Sequence, residues 1–337
     1  MNFFCKSLII SFLAWFMVAC GSTQVANHAL IEQMAVEQMR GTGTDIAQKL
    51  EQVNARFEQA RADNLPDYAP LHFAYAEQAL QEAKKHSDSD KEKDREKAIL
   101  QLFRADLFLA KAEESGELVR DILADSLAHK QVLLALKADT LHARAYRRVD
   151  NGLTALAELI EAGDTEKARE EQGSLLSRMH RLEVQTLKTV YMQPVEDRLR
   201  DARTDNNAHR LAEVTYADAQ AAIDKANQFI ENNPRDIDGI KLISDKAGHA
   251  VMRSYHVATE VDKLLGADEE TAEQYVLFVE SLFERINASV GIEVLSAMPL
   301  KGQAKALAAA LGAEEDGEVG GKEQGEIPDE ERETASP

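Results

Sequence analysis

Apolar side chains recur at steps of three and four residues along most of the chain from residue 46 onwards. This spacing places them on one face of a helix and predicts amphipathic helices that bury that face. No stretch alternates apolar and polar residues convincingly at the period of two that a half-buried strand requires. The pattern predicts an all-α protein, an elongated helical bundle of coiled-coil-like hairpins. The inner stripes are Ile46, Leu50, Val53, Phe57 and Ala60; Phe73, Ala76, Leu80 and Ala83; Ala98, Leu102, Ala105, Leu109 and Ala112; Leu127, Leu134, Ala138, Leu141 and Ala145; Leu175, Met179, Leu182, Thr186 and Val190; and Ala272, Val276, Val279, Phe283 and Ile286.

Residues that end or cap helices divide this pattern into elements. The run Asp150-Asn151-Gly152 predicts a break, and Pro194 predicts an end or a kink. Residues 117–149 are predicted to form one long helix. Asp164 is a predicted N-cap, and Thr271-Ala272-Glu273-Gln274 is a predicted capping box.

Two segments of the chain resemble one another. Residues 53–64 align with residues 195–206, and both end in Arg-x-Asp-Asn. After a shift of one residue, the alanine pattern of residues 69–83 aligns with that of residues 212–226. We interpret the match as an internal duplication with a period of roughly 140 residues, far longer than common helical repeats. Chance alignment of two alanine-rich helices is the alternative.

These features together predict seven regions along the chain. They are a signal peptide at 1–19, a tether at 20–43, helical unit 1 at 44–149, a connecting helical hairpin at 150–193, helical unit 2 (the repeat of unit 1) at 194–266, C-terminal helices at 267–312 and a disordered acidic tail at 313–337.

The first residues have the composition of a secretory signal. Lys6 precedes an apolar run from Leu8 to Val18, which is shorter than the ~20 residues of a spanning helix. Met17-Val-Ala19-Cys20 resembles the lipobox of bacterial lipoproteins. The resemblance implies cleavage after Ala19, attachment of a diacylglyceryl group and an acyl chain such as palmitate to Cys20, and, because Gly21 follows, sorting to the outer membrane. The alternatives are an ordinary signal peptide cut after Ala19 and an uncut transmembrane anchor.

Composition and charge exclude some classes of binding partner. The net charge of −20 argues against nucleic acid and against anionic lipid surfaces as partners. The chain has two cysteines, Cys5 in the predicted signal and Cys20, so the mature body would hold together without a disulfide. The acidic, glycine-containing segment after Glu314 cannot bury enough apolar surface to fold. It is predicted to be a solvated tail, or alternatively a binding tail for a basic partner or divalent cations.

The sequence carries no familiar constellation of catalytic or metal-ligating residues. None of the motifs HExxH, ExxH, CxxC, GxSxG or the Walker loop occurs. His249 and His256 share a predicted helix face, but no acid completes a metal site around them. His142 with Arg144, Arg147 and Arg148 is interpreted as the solvated end of the long helix, where cations complement the helix dipole. We therefore predict no catalytic residue, no metal and no cofactor, and a protein that is not an enzyme.

The alanine-rich hairpins at residues 69–84 and 212–227, behind a lipobox, resemble an uncharacterised family of helical envelope lipoproteins of bacteria. That family is often found with OmpA-like peptidoglycan-binding domains, and this chain has only the acidic tail where such a domain would be. The resemblance implies a lipid anchor at Cys20, a periplasm-facing position at the outer membrane of a Gram-negative bacterium, and an envelope protein, for example an OmpA-like one, as partner.

The first functional hypothesis is a membrane-anchored periplasmic scaffold or spacer that works through helix-mediated protein contacts. The alternative is a ligand-binding or accessory subunit of an envelope transport or secretion system.

Overall fold

The computed structural model describes residues 25–40, 43–289, 291 and 297–319, and this part of the chain contains fifteen α-helices and no strand. The prediction of an all-α protein is confirmed. The helices are α1 (His28–Arg40), α2 (Ile46–Ala62), α3 (Leu65–Tyr68), α4 (Pro70–His86), α5 (Glu92–Ile122), α6 (Ala124–Ala135), α7 (Ala138–Leu141), α8 (Ala143–Glu161), α9 (Thr165–Tyr191), α10 (Gln193–Thr204), α11 (Ala208–Leu211), α12 (Glu213–Asn232), α13 (Ile237–Leu265), α14 (Glu269–Ser289) and α15 (Leu300–Val319).

Three four-residue helices, α3, α7 and α11, share one backbone conformation. Each follows a residue in the left-handed region, and a residue with φ between −137° and −131° comes five positions after that residue. The left-handed residues are Asn64, Lys137 and Asn207, with φ of 54°, 60° and 50°, and the residues after the short helices are Ala69, His142 and Ala212. The same turn is therefore built three times.

The order of elements around these turns also recurs three times. A helix, the short helix, a long helix and a second long helix follow one another in α2–α5, in α6–α9 and in α10–α13. The left-handed residues lie 73 and 70 positions apart (64 to 137, 137 to 207). The period of roughly 140 residues read from the sequence thus spans two copies. The middle copy lacks the alanine pattern, because Val149 and Leu156 take the places of Ala76 and Ala83.

Equivalent positions face the interior in all three copies. The residue nine positions after the left-handed residue is aromatic in each copy, and the residue sixteen positions after it is a large aliphatic. All of these are buried apart from the half-buried Tyr146. The equivalent sets are Phe73, Tyr146 and Tyr216, and Leu80, Leu153 and Ile223. The shared turn therefore fixes which face of the following helix is covered.

Consecutive copies are joined through single residues. Leu123 separates α5 from α6, and Met192 separates α9 from α10. Both side chains are fully buried. Each joint residue takes part in the hydrogen bonds of both helices: Leu123 N donates to Val119 O and Leu123 O accepts from Leu127 N, both at 2.9 Å, while Met192 N donates to Lys188 O at 2.8 Å and Met192 O accepts from Glu196 N at 2.9 Å. The last helix of one copy thus leads directly into the first helix of the next.

The chain forms two compact units, Met1–Glu196 with Ile223–Lys246, and Asp197–Ala222 with Ala247–Pro337. In the first, α4 and α5 make the most extensive helix pair, and alanines at their interface let the two backbones approach closely. These alanines are Ala76, Ala83, Ala98, Ala105 and Ala112. The core of the second unit includes Ala202, Ala208, Ala212, Tyr216 and Ala258.

Two predictions for the middle of the chain are wrong. The run Asp150-Asn151-Gly152 does not break a helix, since α8 passes through it from Ala143 to Glu161. A Cβ atom on Gly152 would lie 3.0 Å from Leu175 Cδ1, so this glycine serves the close approach of α9. The long helix predicted for 117–149 is interrupted at Leu123 and again at the left-handed Lys137. Leu134 and Leu141 of its predicted inner stripe are exposed because these breaks change the helix register, and Val190 near the end of α9 is exposed as well.

The segment predicted as a tether, 20–43, is largely part of the folded body. Val25 is 3% exposed, and Ile31 and Ala35 of α1 are buried where α1 packs on α5. His28 lies 5.0 Å from Tyr75 and 5.4 Å from Phe108 between ring centroids. This aromatic contact, together with the ion pair between Arg104 and Glu32, docks the helix.

The ends of the C-terminal helices also differ from prediction. Helix α14 begins at Glu269, before the predicted capping box, because Asp268 Oδ1 accepts the Thr271 N–H at 2.9 Å. Helix α15 extends to Val319, so the first residues of the predicted tail are helical. Residues 1–24, with the predicted signal, and residues 320–337 of the tail lie outside the described part.

The left-handed conformation of Lys137 provides a test of the shared turn. A residue with a Cβ atom loses about 1–2 kcal/mol in this region, whereas asparagine tolerates it better. Replacing Lys137 by Asn should raise the free energy of unfolding by roughly 0.5–1 kcal/mol, measured by urea denaturation with circular dichroism. The matched control is Lys225→Asn in the interior of α12, where the same change should slightly lower stability. A loss of stability at both positions would contradict the assignment.

Candidate functional site

The carboxylate of Glu161 lies against the first turn of α4. Glu161 Oε2 accepts the backbone N–H of Leu71 at 2.8 Å, and Oε1 accepts that of His72 at 2.7 Å. Helix N-termini have unsatisfied N–H groups and a positive partial charge, so a carboxylate stabilises them. Glu161 is 1% exposed, and it therefore exchanges hydration for these bonds inside the protein.

The imidazole of His72 completes this buried polar cluster. His72 Nδ1 lies 2.8 Å from Glu161 Oε1 and 3.3 Å from the hydroxyl oxygen of Ser115. A serine–histidine–acid triad needs the hydroxyl on one ring nitrogen and the acid on the other. Here both contacts fall on Nδ1, while the buried Nε2 has no hydrogen-bond partner. The cluster joins α4, α5 and α8, and its geometry is that of a structural tie.

The same residue also holds the beginning of the described chain. The N–H of Ala26 donates to the backbone carbonyl of Glu161 at 2.8 Å. Gly163, with φ of +91°, makes the turn from α8 to α9 directly after this contact. The C-terminal end of α8 therefore binds both the N-terminal segment, through its main chain, and the start of α4, through its side chain.

A second buried glutamate ties other helices of the same unit. Glu183 of α9 has a side chain that is 1% exposed. Its two oxygens lie 2.8 Å from His129 Nε2 and 2.7 Å from Arg235 Nε. Glu183 thus links α6 to the segment that precedes α13.

Burial lowers the pKa of His129, because the charged imidazolium loses hydration. The charge of Glu183 and its hydrogen bond oppose this effect, while electrostatic interactions with Arg235 and His180 also lower the pKa of His129. The net direction is downward, so His129 is held in its neutral form more strongly than a solvated histidine.

A polar pocket of about 310 Å³ lies between α3, α6 and α8. Asp67, Lys130, Gln131 and Asp150 line it, among others, and Lys130 Nζ lies 2.7 Å from Asp150 Oδ1. Burial acts to lower the pKa of Lys130, but the hydrogen bond and charge of Asp150 outweigh it and raise the pKa. The cation of the pocket is thus already paired with an acid of its own wall.

The residues singled out in the sequence do not converge on one site. Ala19 and Cys20 lie outside the described residues. His249 and His256 are both exposed on α13, as expected for surface histidines. His142 donates to or accepts from Thr189 Oγ1 at 3.1 Å. The basic patch of Arg144, Arg147 and Arg148 is exposed, but it lies in the first turns of α8 and not at the end of a long helix, so the helix-dipole interpretation is wrong.

The buried glutamates were not predicted, although the sequence contains a signal for both. Glu161 lies four residues after the buried Ala157, and Glu183 lies four residues after the buried Met179. Each acid therefore occupies the inner face of its helix. A charged residue in that register is buried only with partners, which the sequence alone does not identify.

Comparisons with known proteins identify no relative. No protein-family model matches the chain, and neither the curated proteins nor the solved structures contain a significant match. Within the described residues, no group of three or more histidines, cysteines and acids is arranged to hold a metal ion. In the same part of the chain, no helix combines the length and the apolar character that crossing a membrane requires.

The tie at Glu161 predicts a stability change for a conservative substitution. In Glu161→Gln, the amide presents an N–H group where the carboxylate accepted a backbone N–H, and the charge at the helix terminus is lost. We expect the free energy of unfolding to fall by roughly 2 kcal/mol, measured by urea denaturation. Glu170→Gln, on the exposed surface of α9, is the control and should change stability little. Equal effects at both positions would contradict the role of Glu161.

The pKa of His129 predicts a pH dependence of stability. Because the folded pKa lies below the value of about 6.5 in the unfolded chain, the unfolded state binds more protons as the pH falls through this region. Stability should therefore decrease below about pH 6.5 and level off above it. In His129→Gln this part of the pH dependence should disappear. Urea denaturation of both proteins at several pH values between about 5 and 8 measures it, and identical profiles would refute the assignment.

Proposed function

We propose that the protein is a non-enzymatic, membrane-anchored envelope lipoprotein that acts as a periplasmic scaffold or spacer through helix-mediated protein contacts. The observation that carries the proposal is the threefold helical unit, in which the last helix of one copy passes through a single buried residue into the next. Arrays of helical units with shared helices serve as structural supports and as extended binding surfaces.

The packing of the N-terminal segment bears on how such a scaffold would be held. If Cys20 carries the lipid, five residue steps separate it from Val25, the first buried residue described. Five residues reach at most about 18 Å when fully extended. The anchor would therefore hold the body close to the membrane surface, since α1 is itself packed on α5. A lipid with more than one acyl chain would make this attachment stable.

The alternative, a ligand-binding or accessory subunit of a transport or secretion system, stays a prediction. The polar pocket between α3, α6 and α8 is the feature that favours it. Lys130, the cation of that pocket, is already paired with Asp150. Helix-mediated contact is for this reason the proposal that we favour.

The anchor is tested by replacing Cys20 with Ser. The variant lacks the thiol that would carry the lipid, so it should move from the membrane fraction to the soluble periplasmic fraction of the cell. Immunoblots of fractionated cells measure this, with Cys5→Ser as the matched control, because that cysteine lies in the predicted signal. Retention of Cys20→Ser in the membrane fraction would refute the anchor.

The scaffold role is tested by chemical crosslinking in intact cells, followed by identification of the crosslinked proteins. A scaffold should give the same envelope protein partner in repeated experiments, and Cys20→Ser should reduce that crosslink because the body is no longer held at the membrane. A bound small molecule in native mass spectrometry, without a crosslinked partner, would favour the alternative.

A further inference from the structure

Four exposed arginines of α8 and α9 have no acidic partner. They are Arg144, Arg148, Arg178 and Arg181. Among the described residues, no carboxylate lies within 4.0 Å of any of their guanidinium groups. By contrast, Arg56 and Lys130 of the same unit are each paired with an acid. In a chain of net charge −20, these four arginines form a local excess of positive charge.

Two contacts between α8 and α9 fix how the helices lie beside one another. A Cβ atom on Gly152 would lie 3.7 Å from a terminal guanidinium nitrogen of Arg178. Ten residues earlier on α8, His142 Nε2 lies 3.1 Å from Thr189 Oγ1, eleven residues later on α9. The two helices are therefore antiparallel, and their register between these contacts is set.

This register places the four arginines along one groove between the helices. Arg148 lies one turn before Gly152 on the same side of α8, and Arg144 lies one turn before Arg148. Arg181 lies one turn after Arg178 on α9, level with Arg148. Neighbouring turns of a helix are about 5–6 Å apart, so the positive charges lie close together.

The acids of the two helices do not neutralise this groove. Asp150 lies about 200° around α8 from Arg148, on the opposite side, where it pairs with Lys130 at 2.7 Å. On α9, Glu171 comes two turns before Arg178, about 10 Å away along the helix. Like charges without a paired acid repel one another and raise the free energy of the folded state. An anion bound between them would remove that repulsion.

An open pocket of about 530 Å³ adjoins the groove. Arg181 and Gln185 line it, among others. Lys188, a second cation of the wall, is paired with Glu231 at 2.5 Å. Glu196, the acid of the wall, lies fifteen positions after Arg181, so the unpaired positive charge is at one end of the pocket. The volume is in the range of sites that hold small molecules.

The charge of the whole chain selects a small anion over a large one. Arginine binds carboxylate and phosphate groups through paired N–H donors. Repulsion from a chain of net charge −20 grows with the charge of the body that approaches, so it acts most strongly against nucleic acids and anionic membranes. A compact anion with two or three charges lies within a few ångströms of the arginines, while charges beyond the Debye length of about 8 Å are screened.

We infer that the groove between α8 and α9, bordered by Arg144, Arg148, Arg178 and Arg181, binds a small anion that carries two or more carboxylate or phosphate charges. This inference goes beyond the proposed scaffold role and does not depend on it.

The test uses the full chain carrying Cys20→Ser and two probes, tricarballylate and inorganic pyrophosphate, with acetate as the monoanion. Isothermal titration calorimetry at a constant ionic strength of about 0.15 M should show saturable binding of at least one probe and at least about tenfold weaker binding of acetate. The bound probe should also raise the free energy of unfolding in urea, because it binds the folded state. Absence of saturable binding by both probes, or equal binding of acetate, would overturn the inference.

Substitutions in the chain locate the contact. Arg148→Gln with Arg181→Gln should weaken binding of the probe by more than about tenfold. Lys93→Gln with Arg95→Gln, exposed in the first turn of α5, is the matched control, since it removes the same formal charge and should change the affinity less than about twofold. Equal weakening in both double variants would show a general effect of charge and would refute the site.

Stability in the absence of a probe separates binding from a structural role. The Arg148/Arg181 variant loses repulsion and no ion pair, so its free energy of unfolding in urea should equal or slightly exceed that of the unsubstituted chain. A marked loss of stability would show that the arginines support the fold, and it would contradict the inference.

Vesicles of phosphatidylethanolamine and phosphatidylglycerol distinguish a soluble anion from a lipid head group. Cosedimentation with these vesicles that is lost in the Arg148/Arg181 variant, without binding of either soluble probe, would overturn the inference in favour of a lipid surface. The fractionation of Cys20→Ser does not depend on these arginines, so the anchor and this inference fail or succeed separately.

Discussion

A single buried carboxylate organises much of the first unit. Glu161 satisfies the start of α4 with its two oxygens, contacts the ring of His72, and accepts the N–H of Ala26 with its own backbone carbonyl. Taking an unpaired carboxylate out of water costs several kcal/mol, so this position is stable only while all its partners are in place. The packing of α1, the direction of α4 and the end of α8 consequently depend on one another.

The features of this fold that the sequence predicts depend on interactions between residues close in sequence, and the features that it does not predict depend on contacts between distant segments. Stripes such as Val53, Phe57 and Ala60 predict helices, because the spacing of apolar residues along a helix is a local property of the sequence. All three of these residues are buried in the structure. The first Arg-x-Asp-Asn motif ends at the left-handed Asn64, whereas the second ends at Asn206, one residue before the left-handed Asn207. Asparagine tolerates this conformation. Lys137 adopts the same conformation, but lysine is not typical of it, so the sequence does not predict the turn of the middle copy. Gly152 reads as a turn residue, but its function is contact with Leu175, which depends on tertiary structure.

At the candidate site, too, the local part of the arrangement can be predicted from the sequence and the long-range part cannot. The acids Glu161 and Glu183 occupy apolar registers that are visible in the sequence, but their partners His72, His129 and Arg235 come from distant segments. The exposed face of α14 presents the opposite problem. Its predicted inner stripe includes Val276 and Ile286, but these side chains are 45% and 42% exposed. In both cases the periodic pattern shows which residues share a helix face, but it does not show which other segment packs against that face.

The single-residue joints at Leu123 and Met192 couple the unfolding of neighbouring copies. Because each of these residues donates its N–H to the helix before it and accepts an N–H from the helix after it, unwinding the end of one helix displaces the residue on which the first turn of the next helix depends. Nearest-neighbour coupling of this kind makes the melting of adjacent units cooperative. A pulling force applied to one copy would thus be shared with its neighbour along a continuous backbone, instead of being absorbed by a loose loop between them.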